Sequence, residues 1–177
     1  MLAYLLVLFA VVFRLVTEAS ALNFAPVAAA LLFFGSRMPR RQAWVPVAVL
    51  IASDVVLTTR VYGYPLRPDQ IVIWAWYLGI VLLGSLLAGR AKTNAWRIAG
   101  ASLAASVSFF LLSNFAVWAA WEMYPRTFQG LLACYAAAIP FFRNTAASDM
   151  LFTAAFFGIP AVVEMLRSKT ARNTLSV

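Results

Sequence analysis

The sequence predicts an all-α fold, a polytopic transmembrane helical bundle of about six spans plus a short re-entrant or half helix. Three observations carry that prediction. Hydrophobic types make up 64% of the 177 residues and charged types 11%, where a soluble domain carries about 25% charged residues. Apolar runs recur along the chain. Most basic residues fall between those runs, as topology signals do. At about 20 residues per span plus short loops, the length admits six spans in a single domain, 1–177, and no separate soluble domain.

The elements follow in order. Residues 2–16 are apolar except for Arg14 and form the first span. Ala19-Ser20-Ala21 has the look of a signal-peptidase site. No basic residue precedes the run and an arginine lies near its end, so the helix is expected to be retained. Residues 23–35 form a second segment with Pro26 near its start, where proline is tolerated. Thirteen residues of helix rise only about 20 Å, so this segment gains length from its flanks or spans incompletely. Residues 43–59 form the third, interrupted by Ser53, Asp54 and Thr58. The stretch 60–68, with Gly63, Pro65 and Pro68, reads as a turn. Residues 69–89 are the cleanest span. Their glycines, Gly79, Gly84 and Gly89, stand five apart and hold no single helix face. Residues 97–121 form the fifth span. Residues 128–142 are apolar but short, 147–166 form the last span with Pro160 as an expected kink, and 167–177 is a basic tail.

Charge orients these spans. With the N-terminus cytoplasmic and 128–142 not crossing, the inner side receives nine basic residues: Arg37, Arg40, Arg41, Arg90, Lys92, Arg97, Arg167, Lys169 and Arg172. The outer side receives four: Arg60, Arg67, Arg126 and Arg143. A crossing at 128–142 would put the basic tail outside, against the positive-inside rule. The expected placement is therefore a multi-pass membrane protein with both termini on the cytoplasmic side. Residues 128–142 then form a half helix covered by protein or a wet cavity.

Composition also excludes chemistry. The net charge of +8 is explained by orientation and anionic-lipid contact, so no nucleic-acid partner is expected. The chain has no histidine and one cysteine. Histidine metal sites, Ser-His-Asp or Cys-His catalysis and an internal disulfide are all ruled out within one chain. No Gly-rich phosphate motif occurs. No two of the carboxylates Glu18, Asp54, Asp69, Glu122, Asp149 and Glu164 stand at a spacing that fixes a catalytic pair, so no enzyme activity is expected.

The embedded polar residues converge toward the outer side. Arg14 lies near the outer end of the first helix and Asn23 in the connection after it. Asp54 lies about 9 Å from the outer end of the third span. Asn114, Trp118 and Trp121 share one face of the fifth, and Tyr124, Arg126, Gln129, Arg143, Asn144 and Asp149 are also outer. This suggests a pocket lined by aromatic, amide and charged groups. The expected substrate-binding residues are Arg14, Asn23, Asp54, Asn114, Trp118, Tyr135, Arg143 and Asn144. Trp118 and Tyr135 supply stacking, Asn114 and Asn144 amide hydrogen bonds, and Arg14, Asp54 and Arg143 charge pairing. The same residues have plainer readings. Arg14 and Asp54 form a structural ion pair, Trp118, Trp121 and Tyr124 an interfacial aromatic belt, and Asn114, Ser102, Ser106 and Ser113 helix–helix contacts. Cys134 reads first as a small apolar residue and only second as a metal ligand. No cofactor is indicated.

A family resemblance rests on Asn23-Phe24-Ala25-Pro26-Val27, Ser53-Asp54, 113–118 (SNFAVW), Tyr124-Pro125, 130–135 (GLLACY), 138–144 (AIPFFRN) and Asp149. With these the chain resembles an uncharacterised bacterial family of small integral-membrane proteins carrying a transport label. The resemblance covers nearly the whole chain and implies membership, with no substrate or catalytic residue to carry over. In size, span count and outer polar cluster the chain also resembles the S components of energy-coupling-factor transporters. That likeness implies a vitamin or metal bound on the outer side and a partner membrane protein held on small-residue faces, here Ala25/Ala29 and Ala101/Ala105. Solitary cobalamin-binding relatives of those components imply a ligand contact for Cys134.

The reading is a transporter or S-component-like substrate-binding subunit that takes up a small molecule from the outer side. Its partners are the lipid bilayer, a small-molecule substrate and a membrane-protein subunit. The alternatives are a structural or assembly subunit of a larger membrane complex and, third, an intramembrane enzyme.

Overall fold

The computed structural model describes residues 1–17, 23–88 and 94–174, with side chains to residue 170. Glu18, the Ala19-Ser20-Ala21 stretch, Gly89, Arg90, Lys92 and the Arg172 side chain lie outside the described residues. The described chain holds six α-helices and no strands: α1 (Leu2–Thr17), α2 (Val27–Arg37), α3 (Trp44–Val56), α4 (Asp69–Ser85), α5 (Ala95–Ala120) and α6 (Phe128–Thr174). A 3-10 turn, Arg40–Gln42, leads into α3, and a π turn, Leu57–Val61, follows it.

The bundle is built around its shortest helix. In α2 every residue from Ala28 to Gly35 is buried. A helix that is apolar all round must be enclosed, and α1, α4, α5 and α6 enclose this one. Neighbouring protein, rather than extra length, resolves the shortfall expected for this segment. The helices α2 and α4 approach most closely through glycine. A Cβ on Gly35 would run into the Val81 carbonyl, and one on Gly84 into the Leu32 backbone. Close backbone approach at small residues is how helices pack where lipid competes for apolar contact. Gly79 has open space around it, so only Gly84 of the described α4 glycines acts in this way.

Three stretches are long and apolar enough to cross a membrane: Arg40–Val61, Ala95–Ala120 and Phe128–Thr170. The helices α1, α2 and α4 are apolar but shorter. Large apolar side chains cover the outside of the bundle, among them Leu5, Leu8 and Val12 on α1, Leu103 and Leu111 on α5, and Ile159 and Leu166 on α6. That surface is compatible with lipid contact.

The clearest departure from the sequence reading concerns the C-terminal third. Residues 128–142 are not a separate half helix, and 147–166 is not a separate span. Both belong to α6, which runs unbroken through Pro140 and Pro160 and takes in most of the basic tail. The residues between the two expected segments, 143–146, are helical as well. Thr145 and Ser148 donate to carbonyls one turn back, Phe141 O at 3.1 Å and Thr145 O at 2.9 Å. They also reach the chain before α2, at Asn23 O and Ala25 O. At 1.5 Å per residue, α6 is about 70 Å long, more than twice the hydrocarbon thickness of a bilayer.

The hairpin of α5 and α6 is capped at both starts. Asn94 accepts from the Trp96 amide, and the Thr127 hydroxyl accepts from the Gly130 amide, each at 3.1 Å. Along the hairpin Ser102 and Ser106 face α6. Ala29, Ala101 and Ala105 are buried inside the bundle. The small-residue faces proposed for a partner protein instead pack helices of this chain against one another.

Candidate functional site

Two helix ends and the middle of α4 bring Arg14, Asp54, Trp74 and Tyr77 together. Arg14 lies in the last turn of α1, and Asp54 lies near the end of α3, just before the π turn. Trp74 and Tyr77 are three residues apart on α4 and so share a face. Arg14 Nη2 pairs with Asp54 Oδ1 at 2.5 Å. Its Nη1 donates to the Tyr77 hydroxyl at 3.2 Å, and that hydroxyl donates on to Asp54 Oδ1, also at 3.2 Å. Trp74 Nε1 donates to the other carboxylate oxygen at 3.0 Å. Both oxygens of Asp54 are therefore bonded. The ion pair foreseen for Arg14 and Asp54 forms, closed by two aromatic residues that the sequence reading left in a plain apolar span.

A second polar group lies across the bundle. Ser106 Oγ donates to Asp149 Oδ2 at 2.7 Å, and one turn on Thr153 Oγ1 meets Ser102 Oγ at 3.2 Å. Two i, i+4 pairs on antiparallel helices thus form a short ladder. Asp149 is 2% exposed. Trp76 Nε1 donates to Ser108 at 2.9 Å, and its ring packs on Phe109 with centroids 5.0 Å apart.

Between these groups lies a cavity of about 180 Å³. Arg14, Thr17, Asn23, Trp76, Tyr77, Phe109 and Asp149 are among its lining residues. At roughly 30 Å³ each, that is the space of about six waters. Asn23 takes a left-handed conformation, φ 67°, which asparagine tolerates better than most residues. It turns the chain into α2 at the cavity edge. A second cavity of about 230 Å³ adjoins the first and shares Asn23, Phe109 and Thr145 with it. Ser113, Asn114 and Phe142 line its far side.

The eight expected residues therefore separate. Arg14 and Asn23 border the first cavity, with Asp54 bonded behind Arg14, and Asn23 and Asn114 border the second. The Asn114 amide donates to Phe110 O of its own helix at 2.7 Å. Trp118, Tyr135, Arg143 and Asn144 line neither cavity. Trp118 Nε1 holds the α5–α6 turn through Pro125 O at 2.9 Å, with Arg126 over its ring. The Tyr135 hydroxyl bonds to Leu111 O at 2.8 Å and ties α6 to α5. Arg143 is exposed on α6, and Asn144 is half-buried. Cys134 is buried in the same hairpin with its thiol toward Asn114 O, and among the described residues no three Cys, Asp or Glu side chains group as metal ligands. Trp121 donates to Asp69 at 3.2 Å, and Arg67 lies 4.2 Å over its ring. It thereby joins the loop before α4 to the end of α5.

The residues passed over are Trp76, Tyr77 and Phe109, while Asp149, counted among the outer polar residues but not among the expected substrate contacts, also lines the first cavity. A signal for them existed. Trp74, Trp76 and Tyr77 crowd four positions of α4, and buried indole and phenol groups need partners. Asp149 is i+4 from neither Asn144 nor Arg143, yet its pairing with Thr153 matches the spacing of Ser102 and Ser106.

Comparison with known families adds one finding. The family of unknown function DUF6580 matches residues 1–172. The chain belongs to the DUF6580 family. The match runs from α1 into the last turns of α6, so both cavities lie within the DUF6580 region. The description of DUF6580 names no activity, and it carries neither the transport label nor the S-component likeness. No curated protein and no solved structure matches the chain.

Proposed function

We propose that this DUF6580 protein is an integral-membrane transporter, or the substrate-binding subunit of one, that takes a small molecule from the outer side of a bacterial inner membrane. The observation that carries this reading is the cavity bordered by Arg14 and by Asp149. Ionisable groups at membrane depth are costly and are kept where they handle substrates or ions, and these two meet at a space of ligand size.

The arrangement of ends supports the orientation. Arg14, Asp54, Trp74 and the Asp69–Trp121 contact gather at one end of the bundle. Tyr4 bonds to Gln42 and Arg40 to Ser85 at the other, on the N-terminal side. Arg37, Arg40 and Arg41 thus cluster at the end proposed to be cytoplasmic, and Arg67 and Arg126 at the outer end.

Asn23→Cys in a Cys134→Ser background tests the reading. A membrane-impermeant thiol reagent added outside intact cells should label it, and small molecules extracted from growth medium should slow the labelling. Labelling only after the cells are opened, or labelling that no extract slows, would overturn it. A second reading, a subunit of a larger complex, is favoured by one feature. An apolar groove of about 440 Å³ runs along α5 and α6 past Ala99, Ala154, Gly158 and Ala161, where small residues would let a partner helix approach.

A further inference from the structure

We propose that the ligand of the Arg14–Asp149 cavity is a small organic cation, an ammonium head group held between the Asp149 carboxylate and an aromatic wall. The inference rests on the binding reading above and names the substrate class of that site.

Charge is the first argument. Arg14 borders the cavity, but its charge is met by Asp54, the one ion pair among the described residues. Asp149 borders the same cavity, is 2% exposed, and receives one neutral hydrogen bond, from Ser106. An ionised carboxylate enclosed without a cation is expensive. A cationic ligand supplies the missing charge, and an anionic one adds to the excess.

The wall is the second argument. Trp76, Tyr77 and Phe109 all line the cavity, with Trp76 in ring contact with both of the others at centroid distances of 5.8 and 5.0 Å. The Trp76 indole N–H is already used on Ser108, and the Tyr77 hydroxyl on Asp54. What these side chains have left to offer a ligand is ring surface. Aromatic faces attract ammonium groups and reject anions, and a cage of rings with a carboxylate is a recurring means of holding alkylated ammonium. An inorganic cation would want several oxygen ligands instead. The volume of about 180 Å³ suits a ligand of about six to eight non-hydrogen atoms, judged by the space of about six waters.

The test is calorimetric titration of the full chain in lipid nanodiscs with choline, butylammonium, 3,3-dimethylbutan-1-ol, butyrate and sodium ion. The alcohol is the uncharged isostere of choline. The expected result is saturable binding of a cationic organic probe at least tenfold tighter than the alcohol, with no binding of butyrate. Asp149→Asn should remove that tenfold preference, and Phe109→Leu should weaken the cation several-fold, both with unchanged thermal unfolding. The second variant keeps the test open should the first fail to fold. Binding of butyrate or the alcohol as tightly as choline would overturn the cation inference and leave the binding reading standing. So would binding of sodium alone. Silence from every probe in folded protein would overturn both. Cation binding that survives both variants places the site elsewhere and overturns the inference.

Discussion

At the scale of single residues, the Arg14–Asp54 pair ties three helices through one carboxylate. The contacts from Arg14, Trp74 and Tyr77 offset the desolvation of two charges that are 19% and 11% exposed. Removing one partner strands the other. Arg14→Leu is therefore expected to destabilise the fold by about 3–4 kcal/mol, the lower part of the range for broken buried pairs. Arg14→Leu with Asp54→Leu should be less damaging than Arg14→Leu alone. Denaturation of the three variants in mild detergent measures this, and a double variant worse than the single would contradict the pairing. Arg14 and Asp54 were legible because a charge in an apolar run is conspicuous and must find its opposite. Tyr77 and Trp76 were not, because their polar atoms are a small part of a mostly apolar ring. Nothing in a sequence says which ring of a span faces inward. Trp118 and Tyr135 show the converse, since polar tips that look like ligand contacts are used up on backbone carbonyls of the α5–α6 hairpin.

At the scale of elements, α2 and α6 decide the architecture, and both differ from ordinary spans. The α2–α4 contact depends on Gly35 and Gly84 lying directly on opposing backbone. Gly84→Val should separate the helices and cost about 1–3 kcal/mol, as overpacking does, whereas Gly79→Val, in open space, should cost less than 1 kcal/mol by the same reasoning. Thermal unfolding of the pair checks the contrast. The length of α6 has its own test. Spin labels at Gln129 and Val163 should be about 50 Å apart in a continuous helix, and a separation under about 35 Å would mean that the chain turns back between them. The apolar content of every helix was readable from composition, and so were most starts. The continuity of α6 was not, because Arg143-Asn144, three residues after Pro140, interrupts the apolar run. There Thr145 and Ser148 reach residues more than 120 positions earlier, which no local pattern reveals. The enclosure of α2 was hidden for a related reason, since a short apolar run reads alike whether lipid or protein surrounds it.

At the scale of the whole molecule, a bundle with a lipid-compatible outside carries a cavity that Arg14 and Asp149 border. Among the described residues Arg40, beside Ser85, lies at the end away from Arg67 and Arg126, which stand by Trp121 and Trp118. A reporter fused after Val177 should be active only in its cytoplasmic form, and periplasmic activity would reverse the proposed orientation. The outer convergence of polar groups was legible in part. It led to Arg14, Asn23, Asn114 and Asp149 at the cavities, while the contact of Asp149 with Ser106 emerged only once α5 and α6 were paired in space. The claim on which the account turns is that the cavity beside Asp149 holds a small molecule. Native mass spectrometry of the chain released from its own lipid tests it most directly. The account predicts a reproducible small-molecule adduct on the wild type that is lost from folded Asp149→Asn. A wild type that carries no adduct, or one that Asp149→Asn keeps in full, would contradict it.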